Sequence, residues 1–287
     1  MTAREWLEKA KREKFAIGAF NVGNLETFKA IAQAAAVKKS PVIIESSPGE
    51  TEWMEADNIV DLARNYSKEL GIPILVNLDH AENLEQCQIG IEAGYDLIHF
   101  DGSKLPYEQN LEIAKQVVEL AHQKNLVVEG EYDHIQGSSE VHSGSAKSEI
   151  EKIPMTDPDK ALDFVESTGV DILAAFFGNV HGVFKEGGED LDLERLDEIS
   201  QKMPDKFLSL HGGSGIADDQ VKEAIKRGIV KVNINTEMRQ AFRENMEKVL
   251  DKNPDEIAMY KIEQPVIDEI QKIVEQKIEI FGSFNKV

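Results

Sequence analysis

Residues 207–234 read FLSLHGGSGIADDQVKEAIKRGIVKVNI, and they contain the unit from which the chain is built. The apolar run at 207–213 predicts a β-strand, and residues 229–234 form a second such run. Between them, residues 218–227 place apolar side chains at helical spacing. A strand, an amphipathic helix and a second strand in succession are typical of a parallel sheet.

The same alternation extends toward both ends of the chain. Several apolar runs are nearly continuous in Val, Ile, Leu and Phe, as expected for parallel strands that are covered on both faces. Amphipathic segments of helical length lie between these runs. The eight predicted strands are residues 16–22, 41–47, 72–79, 97–102, 127–132, 172–178, 207–213 and 229–234.

Eight alternations of strand and helix predict an α/β fold, a (β/α)8 TIM barrel in a single domain over residues 1–287. A doubly wound open sheet is the alternative. It normally has fewer strands at this length, and no G-x-G-x-x-G follows the first predicted strand. After residue 237 the sequence is helical to about residue 281, which predicts extra C-terminal helices.

The charge balance of the sequence argues against two classes of binding partner. The sequence has 32 Lys and Arg against 53 Asp and Glu, a formal net charge of −21. This argues against nucleic acid and an anionic membrane as partners, because both bind clusters of Lys and Arg. No apolar run approaches the ~18–20 residues of a membrane span, and residues 1–15 lack the apolar core of a secretory signal. Because Cys87 is the one cysteine, we exclude an internal disulfide and expect a cytoplasmic protein.

Three of the seven histidines lie where predicted strands end. His80 ends the third strand, His181 follows the sixth and His211 ends the seventh. In a barrel the carboxyl ends of the strands meet at one face. Three neutral imidazoles that converge there, with a fourth position left open, are typical of a catalytic zinc site.

The other four histidines have less support as ligands. His99 lies inside a strand and His122 on a helix, so we interpret both as structural. His134 and His142 lie in residues 133–154, the longest stretch without periodicity, and their roles stay open. The length of this stretch and its Ser, Gly and Glu content predict a mobile functional loop.

Asp79 directly precedes His80, and two roles fit it equally well. A carboxylate beside a metal-bound oxygen transfers protons. Alternatively, it orients a histidine ligand.

A glycine-rich turn after the seventh strand predicts a phosphate site. Residues 211–215 read HGGSG, and small residues let backbone amides approach an anion at a helix N-terminus. Residues 233–236 supply further donors after the eighth strand, and these two loops are the recurrent phosphate site of the fold. Lys185 and Arg239 are candidates for the positive charge that an acidic protein needs locally to hold an anion.

The motifs as a set resemble the class II fructose-bisphosphate aldolases, the zinc-dependent ketose-bisphosphate aldolases. The matching motifs run in the family's order from AFNV at residues 19–22 to NINTE at residues 233–237, so the resemblance covers most of the chain. Between them lie LDH, DGS, VEGE, GNVHG and LHGGSG. The resemblance implies a barrel that reversibly cleaves a ketose bisphosphate into dihydroxyacetone phosphate and an aldehyde.

The resemblance also implies roles for individual residues. His80, His181 and His211 would bind Zn²⁺, and Glu131 matches a glutamate that approaches the metal. Asp79 would donate the proton to the aldehyde oxygen. Arg239 matches an arginine that meets the second phosphate in fructose-type members. The substrate and phosphate contacts implied are Asn21, Ser47, Gly182, Lys185, Gly212, Gly213, Ser214, Asn233, Asn235 and Thr236.

One loop departs from the family pattern. Members usually carry a glycine-rich loop of the form GGxED, in which one acid moves the proton on the three-carbon fragment. Here the expected acid aligns with Ser139, so Glu140, one residue away, is the candidate, with Asp133 and His134 as alternatives. Asn235 stands where many fructose-type members have Asp, and Asn also occurs in some of them, which favours fructose.

Several hypotheses follow. The leading one is a zinc-dependent aldolase for fructose 1,6-bisphosphate; a second is an aldolase for tagatose 1,6-bisphosphate or another phosphorylated ketose. A metal-dependent phosphosugar isomerase or epimerase would need two opposed proton-transfer groups, of which only Asp79 is convincing. A zinc-retaining binding protein is disfavoured by Asp79 beside the three histidines. We expect a homodimer or homotetramer, and the resemblance leaves assistance by a monovalent cation open.

Overall fold

The computed structural model describes residues 1–186 and 190–287. Eight parallel strands close into a barrel, and two further strands, β6 and β8, pair apart from it. The strands are β1 (Ile17–Asn21), β2 (Val42–Ser46), β3 (Ile74–Ala81), β4 (Leu97–Asp101), β5 (Val127–Glu131), β6 (Gly137–Ser145), β7 (Ile172–Ala174), β8 (His181–Glu186), β9 (Phe207–Leu210) and β10 (Ile229–Ile234).

The barrel confirms the predicted fold and all eight predicted strands. Neighbours around it are β1, β2, β3, β4, β5, β7, β9 and β10, and β10 closes onto β1. Each pair is parallel. The described residues also form helices α1 (Ala3–Glu13), α2 (Leu25–Lys38), α3 (Pro48–Met54), α4 (Ala56–Leu70), α5 (Leu84–Ala93), α6 (Tyr107–Gln123), α7 (Ala146–Ile150), α8 (Pro158–Thr168), α9 (Leu193–Lys202), α10 (Asp218–Lys226), α11 (Thr236–Lys252) and α12 (Met259–Phe281).

Local sequence explains where several helices begin. The side chains of Asn24 and Asn83 accept amide N–H groups in the first turns of α2 and α5. Asp157 caps α8 in the same way, and Pro158 occupies the first helical position. These caps satisfy amides that have no partner within the helix.

The two C-terminal helices confirm the predicted helical extension. Helix α12 buries one apolar stripe, including Ile270, Val274 and Ile278, and packs against α2 and α11. It therefore covers the barrel beside α2. In the part of the chain that the structure describes, no helix is both long and apolar enough to cross a membrane.

The barrel interior changes character from one end to the other. At the amino end, Trp6 and Leu7 of α1 pack against inward apolar side chains of the strands, such as Ile43 and Leu97. Above this layer, Lys231 lies fully buried among carboxylates. The polar groups become still denser toward the carboxyl ends, which is where this fold places functional sites.

The stretch at residues 133–154 differs from the loop expected from sequence. Strand β6 and helix α7 occupy most of it, and β6 pairs with β8 in a parallel two-stranded sheet. Most β6 residues are exposed or half-buried, so no alternation of apolar and polar residues signals the strand. We call this two-stranded sheet, β6 with β8, the flap.

Candidate metal centre

A small pocket opens at the carboxyl ends of the barrel strands, beside the flap. It joins residues that are far apart in the sequence and includes most of the predicted site. Its lining residues are Asn21, Asp79, His80, Ser139, His181, Gly182, His211, Gly212, Ser214, Asn233, Asn235 and Thr236.

His80 and His211 face each other inside this pocket. The Nε2 atom of His80 lies 3.1 Å from Nδ1 of His211. Their other ring nitrogens contact carboxylates: His80 Nδ1 lies 2.9 Å from Asp101 Oδ2, and His211 Nε2 lies 2.9 Å from Glu129 Oε1. Such outer carboxylates fix the tautomer of a metal-binding histidine. One tetrahedral ion with Zn–N bonds of 2.0–2.1 Å separates its ligand nitrogens by about 3.3 Å, so the two inward nitrogens fit one ion.

His181 completes the predicted triad but lies farther away. Its ring centroid is 5.0 Å from that of His80 and 5.9 Å from that of His211. Its Nδ1 atom lies 3.3 Å from the carbonyl oxygen of Ile135. Its Nε2 atom is buried and has no hydrogen-bond partner. Because unpaired buried nitrogens are rare, this atom fits a metal ligand.

Burial keeps two of these imidazoles neutral. It lowers the pKa of His181 to about 4 and that of His211 to about 3, because a low-dielectric site disfavours the charged form. A metal ion needs the neutral ring, and neither side chain has to lose a proton at neutral pH to bind one.

Glu131 lies at the same end of the barrel, at the end of β5. Its Oε1 atom accepts the amide N–H of Ile135 at 3.1 Å, and its buried Oε2 atom has no hydrogen-bond partner. Burial and the neighbouring Asp101 raise its pKa. A cation would compensate such a carboxylate, so Glu131 fits the ligand role that the resemblance implies.

The tightest groups of donor atoms include one residue that the sequence analysis set aside. Among the described residues, donor atoms of Asp79, His80, His99 and His211 all lie within 4.8 Å of one another. A second such group combines His80 with Asp101 and Glu131. His99, interpreted from the sequence as structural, is thus part of the site. The signal was weak because β4 is buried along its whole length, so no alternation showed which side chains face inward.

The backbone defines the tautomer of His99. Its Nδ1 atom accepts the amide N–H of His80 at 3.2 Å. A second proton on Nδ1 would face the amide hydrogen of His80, so we assign the neutral ring with its proton on Nε2.

Asp79 is a buried carboxylate held by two amides. Asn21 donates to its Oδ2 atom at 3.1 Å, and Asn233 donates to Oδ1 at 3.2 Å. Burial raises its pKa, but the positive charges near it, that of His80 first, outweigh burial and hold the pKa well below its ordinary value. Asp79 is therefore a carboxylate at neutral pH.

A buried charge network lies directly beneath the metal centre. Lys231 Nζ lies 2.8 Å from Glu45 Oε1 and 2.8 Å from Glu129 Oε2. Burial lowers the pKa of Lys231, but the two carboxylates outweigh it and raise the pKa above its ordinary value. Lys231 thus compensates the charge of Glu129, which in turn contacts His211. Because Lys231 is charged, it does not offer the neutral amine that a Schiff base requires.

The glycine turn after β9 has the close backbone approach that the sequence predicted. Gly212 has φ of +66°, and a Cβ atom there would lie 2.1 Å from the carbonyl oxygen of Val180, so only glycine fits. The amide of Gly213 already donates to the carbonyl of Asn233. Gly213 therefore supports the turn, and its amide is not free for an anion.

Predicted phosphate contacts surround the start of α11. Ser214 Oγ accepts the amides of Asn235 and Glu237, each at 3.4 Å, and Thr236 is the first residue of the helix. A helix N-terminus carries a partial positive charge that favours phosphate. The geometry at this corner of the pocket is suited to an anion.

An outer cavity beside the flap contains the remaining predicted cations. Lys185 and Arg239 line it together with Arg243. Glu140 also lines this outer cavity and is exposed, whereas Ser139 lines both this cavity and the central pocket. These three cations lie beside the carboxylates of Glu140 and Glu244, which line the same cavity, and Arg243 also pairs with Glu247 at 3.0 Å.

Arg239 is tied to the wall of the pocket by an ion pair with Glu50, at 2.5 Å. The other carboxylate oxygen of Glu50 accepts from Asn21 at 3.1 Å and from the amide of Ser47 at 2.8 Å. Ser47 itself caps α3 and is not among the residues that line the central pocket.

Comparisons with known proteins agree with this geometry. A family model described as fructose-bisphosphate aldolase class-II matches residues 1–286. The fructose-bisphosphate aldolase of Streptococcus pneumoniae is 39% identical over 300 residues, covering 100% of this chain and 99% of the relative. That of Geobacillus stearothermophilus is 35% identical over 289 residues, covering 100% of this chain and 98% of the relative.

A solved structure agrees as well. The YdjI aldolase from Escherichia coli K12 superposes with a TM-score of 0.81 at 29% identity, covering 100% of this chain and 98% of that one. The chain belongs to the class II fructose-bisphosphate aldolases, a family of metal-dependent carbon–carbon lyases.

Proposed function

We propose that this chain reversibly cleaves fructose 1,6-bisphosphate into dihydroxyacetone phosphate and glyceraldehyde 3-phosphate, with Zn²⁺ as its metal. One observation carries the proposal. Each of His80, His181 and His211 has one ring nitrogen against an outer acceptor and the other left for the pocket, and the carboxylate of Asp79 lies beside them.

The donor set suits zinc. His80, His181 and His211 would hold the ion, with Glu131 as a further ligand, and nitrogen and carboxylate oxygen are both ordinary zinc donors. When bound, the ion supplies Lewis acidity that stabilises the negative charge left on the three-carbon fragment when the carbon–carbon bond breaks.

Asp79 performs the first proton transfer in this proposal. In cleavage it accepts the proton of the hydroxyl on the carbon that becomes the aldehyde, while the electrons of the carbon–carbon bond pass to the three-carbon fragment. In condensation it returns that proton to the aldehyde oxygen. Its place in the central pocket and its two amide donors support the role, because they hold the carboxylate in one orientation.

The flap supplies the second proton transfer, at the carbon of the three-carbon fragment. Glu140 remains the candidate, and Asp133 and His134 remain the alternatives. Supporting Glu140 is its place in an irregular part of β6, since the register with β8 shifts between Gly137 and Val141. Such bulges redirect side chains next to active sites.

The two phosphates are assigned to two parts of the site. We place the dihydroxyacetone phosphate end at the glycine turn and the start of α11, supported by the helix N-terminus there. The second phosphate is placed at Arg239, which lines the outer cavity. The residues assigned to the first end are Gly182, Lys185, Gly212, Ser214, Asn233, Asn235 and Thr236.

The test is a coupled assay for dihydroxyacetone phosphate release. The zinc-loaded protein is compared on fructose 1,6-bisphosphate and tagatose 1,6-bisphosphate. We expect a kcat/KM for the fructose substrate at least tenfold above that for the tagatose one. A reversed preference would contradict the substrate assignment, and cleavage of neither would contradict the proposed activity.

We further propose a homodimer or homotetramer, a cytoplasmic location and one domain over residues 1–287. Exposed apolar side chains at the start of α12 (Met259 and Tyr260) and just before it (Ile257) support an assembly. The buried free thiol of Cys87 fits a reducing compartment. Light scattering measures the assembly. Repeating the cleavage assay in Na⁺ and K⁺ buffers measures any assistance by a monovalent cation.

A further inference from the structure

His99 lies at the floor of the metal centre without belonging to the predicted ligand set. It is fully buried in β4, and its ring centroid lies 4.5 Å from that of His80 and 4.8 Å from that of His211. Because buried polar atoms normally have hydrogen-bond partners, both ring nitrogens of this imidazole are expected to have one.

The first nitrogen, Nδ1 of His99, lies beside an irregularity in the pairing of β3 with β4. Leu78 of β3 pairs with Ile98 of β4, but Ala81 of β3 pairs with Phe100. Two residues of β3, Asp79 and His80, therefore stand opposite the single residue 99, which is a β-bulge.

The bulge contains an unusual backbone conformation. His80 has φ of +53°, in the left-handed region that residues other than glycine rarely adopt. Its amide donates to Nδ1 of His99 at 3.2 Å. The imidazole of His99 thus accepts the His80 amide at the point where the backbone pairing of β3 with β4 is interrupted.

This local shape explains how two consecutive residues reach one pocket. In a regular strand, neighbouring side chains point to opposite faces. Here Asp79 contacts Asn21 and Asn233 while His80 contacts His211, and all of them line the same pocket. The bulge and the left-handed residue provide the turn that brings both side chains there.

The second nitrogen faces Glu131. His99 Nε2 lies 3.5 Å from Glu131 Oε2, and both atoms are buried without another hydrogen-bond partner. With Nδ1 acting as an acceptor, Nε2 carries the ring proton and points it toward the carboxylate.

We propose that His99 is a positioning residue of the metal centre: it holds the bulge that directs Asp79 and His80 into the pocket, and it orients Glu131. The inference rests on the proposed function in that it takes His80 and Glu131 as metal ligands and Asp79 as the acid–base group.

Three variants separate the contributions of the two nitrogens. His99→Asn keeps an acceptor near the position of Nδ1 but does not reach Glu131. His99→Gln places a donor nearer the position of Nε2 but loses the acceptor. His99→Leu removes both. His122→Leu is the matched control, because His122 binds Asp171 on another part of the molecule.

Two readouts do not depend on cleavage. The first is the affinity for Co²⁺, followed by its visible absorption, and the second is hydrogen exchange of the His80 amide in the metal-free protein. We expect His99→Leu to weaken Co²⁺ binding by roughly 10–100-fold, as is typical when an outer partner of a ligand is lost, and to speed exchange at His80. His99→Asn should restore slow exchange and part of the affinity. His99→Gln should leave exchange fast, and His122→Leu should change neither readout.

Two results would overturn the proposal. One is Co²⁺ affinity and His80 exchange in His99→Leu that match the unchanged protein. The other is equal exchange at His80 in His99→Asn and His99→Gln, a comparison that remains available if the leucine variant does not fold. A protein that binds Co²⁺ normally but cleaves no ketose bisphosphate would contradict the proposed function alone, because neither readout uses substrate.

Discussion

Three histidines at strand ends predict a metal site from sequence, because the fold brings the carboxyl ends of all strands to one face. The structure brings two of them, His80 and His211, within 3.1 Å of each other there. The outer partners of these histidines were not predictable. Asp101 and Glu129 lie on other strands, and their contacts depend on the barrel's register. His99 was assigned a structural role because a strand buried on both faces gives no sign of which side chains face inward.

Asp79→Asn separates metal binding from proton transfer. The amide has the same size and still accepts from Asn21, but it cannot take up a proton. We expect kcat for cleavage to fall by roughly 10²–10⁴-fold, the usual contribution of a general base, while zinc content measured by mass spectrometry stays at the level of the unchanged protein. Cleavage at the normal rate would remove Asp79 from the mechanism, and loss of zinc would make it a ligand.

Lys231→Met tests the charge network beneath the site. It leaves Glu45 and Glu129 buried without their cation, and breaking a buried ion pair in this way costs about 3–5 kcal/mol of unfolding free energy. Urea unfolding measures the loss. Adding Glu45→Gln removes one of the two uncompensated carboxyls and should recover part of it. A loss below about 1 kcal/mol would mean that the network is not charged as described.

At the scale of elements, sequence periodicity identified the barrel strands and failed on the flap. The barrel strands are apolar because both of their faces are covered, whereas β6 is largely exposed and rich in Ser and Gly. Its pairing with β8 joins segments that lie about forty residues apart in sequence. No local pattern carries that information, so a mobile loop was the natural expectation from sequence.

A substitution in the flap tests the second proton transfer. Glu140→Gln should slow exchange between the solvent and the carbon-bound proton of dihydroxyacetone phosphate by roughly 10²–10⁴-fold, and cleavage should slow with it. Ser139→Ala at the neighbouring position is the matched control and should retain most of the exchange. If Glu140→Gln exchanges at the normal rate while Asp133→Asn or His134→Gln does not, the proton transfer belongs to that residue.

At the scale of the whole molecule, the barrel makes one site from residues on or directly after β1, β3, β4, β5, β9 and β10, together with the start of α11. The strand order follows the sequence around the barrel, so each strand end was predictable as part of the site once the alternation was recognised. With a net charge of −21, the chain needs local cations to hold an anionic substrate. The chain concentrates cations where the phosphates are proposed to bind, at Lys185, Arg239 and Arg243.

A zinc titration of cleavage tests whether His80, His181 and His211 form the metal site of an aldolase. Protein stripped with EDTA is assayed for dihydroxyacetone phosphate release from fructose 1,6-bisphosphate while Zn²⁺ is added in fractions of an equivalent. We expect no activity without the ion, a linear rise and a plateau at one zinc per chain, with no rise in His181→Ala. Full activity in the stripped protein, or a normal titration in His181→Ala, would contradict a metal-dependent aldolase built on these three histidines.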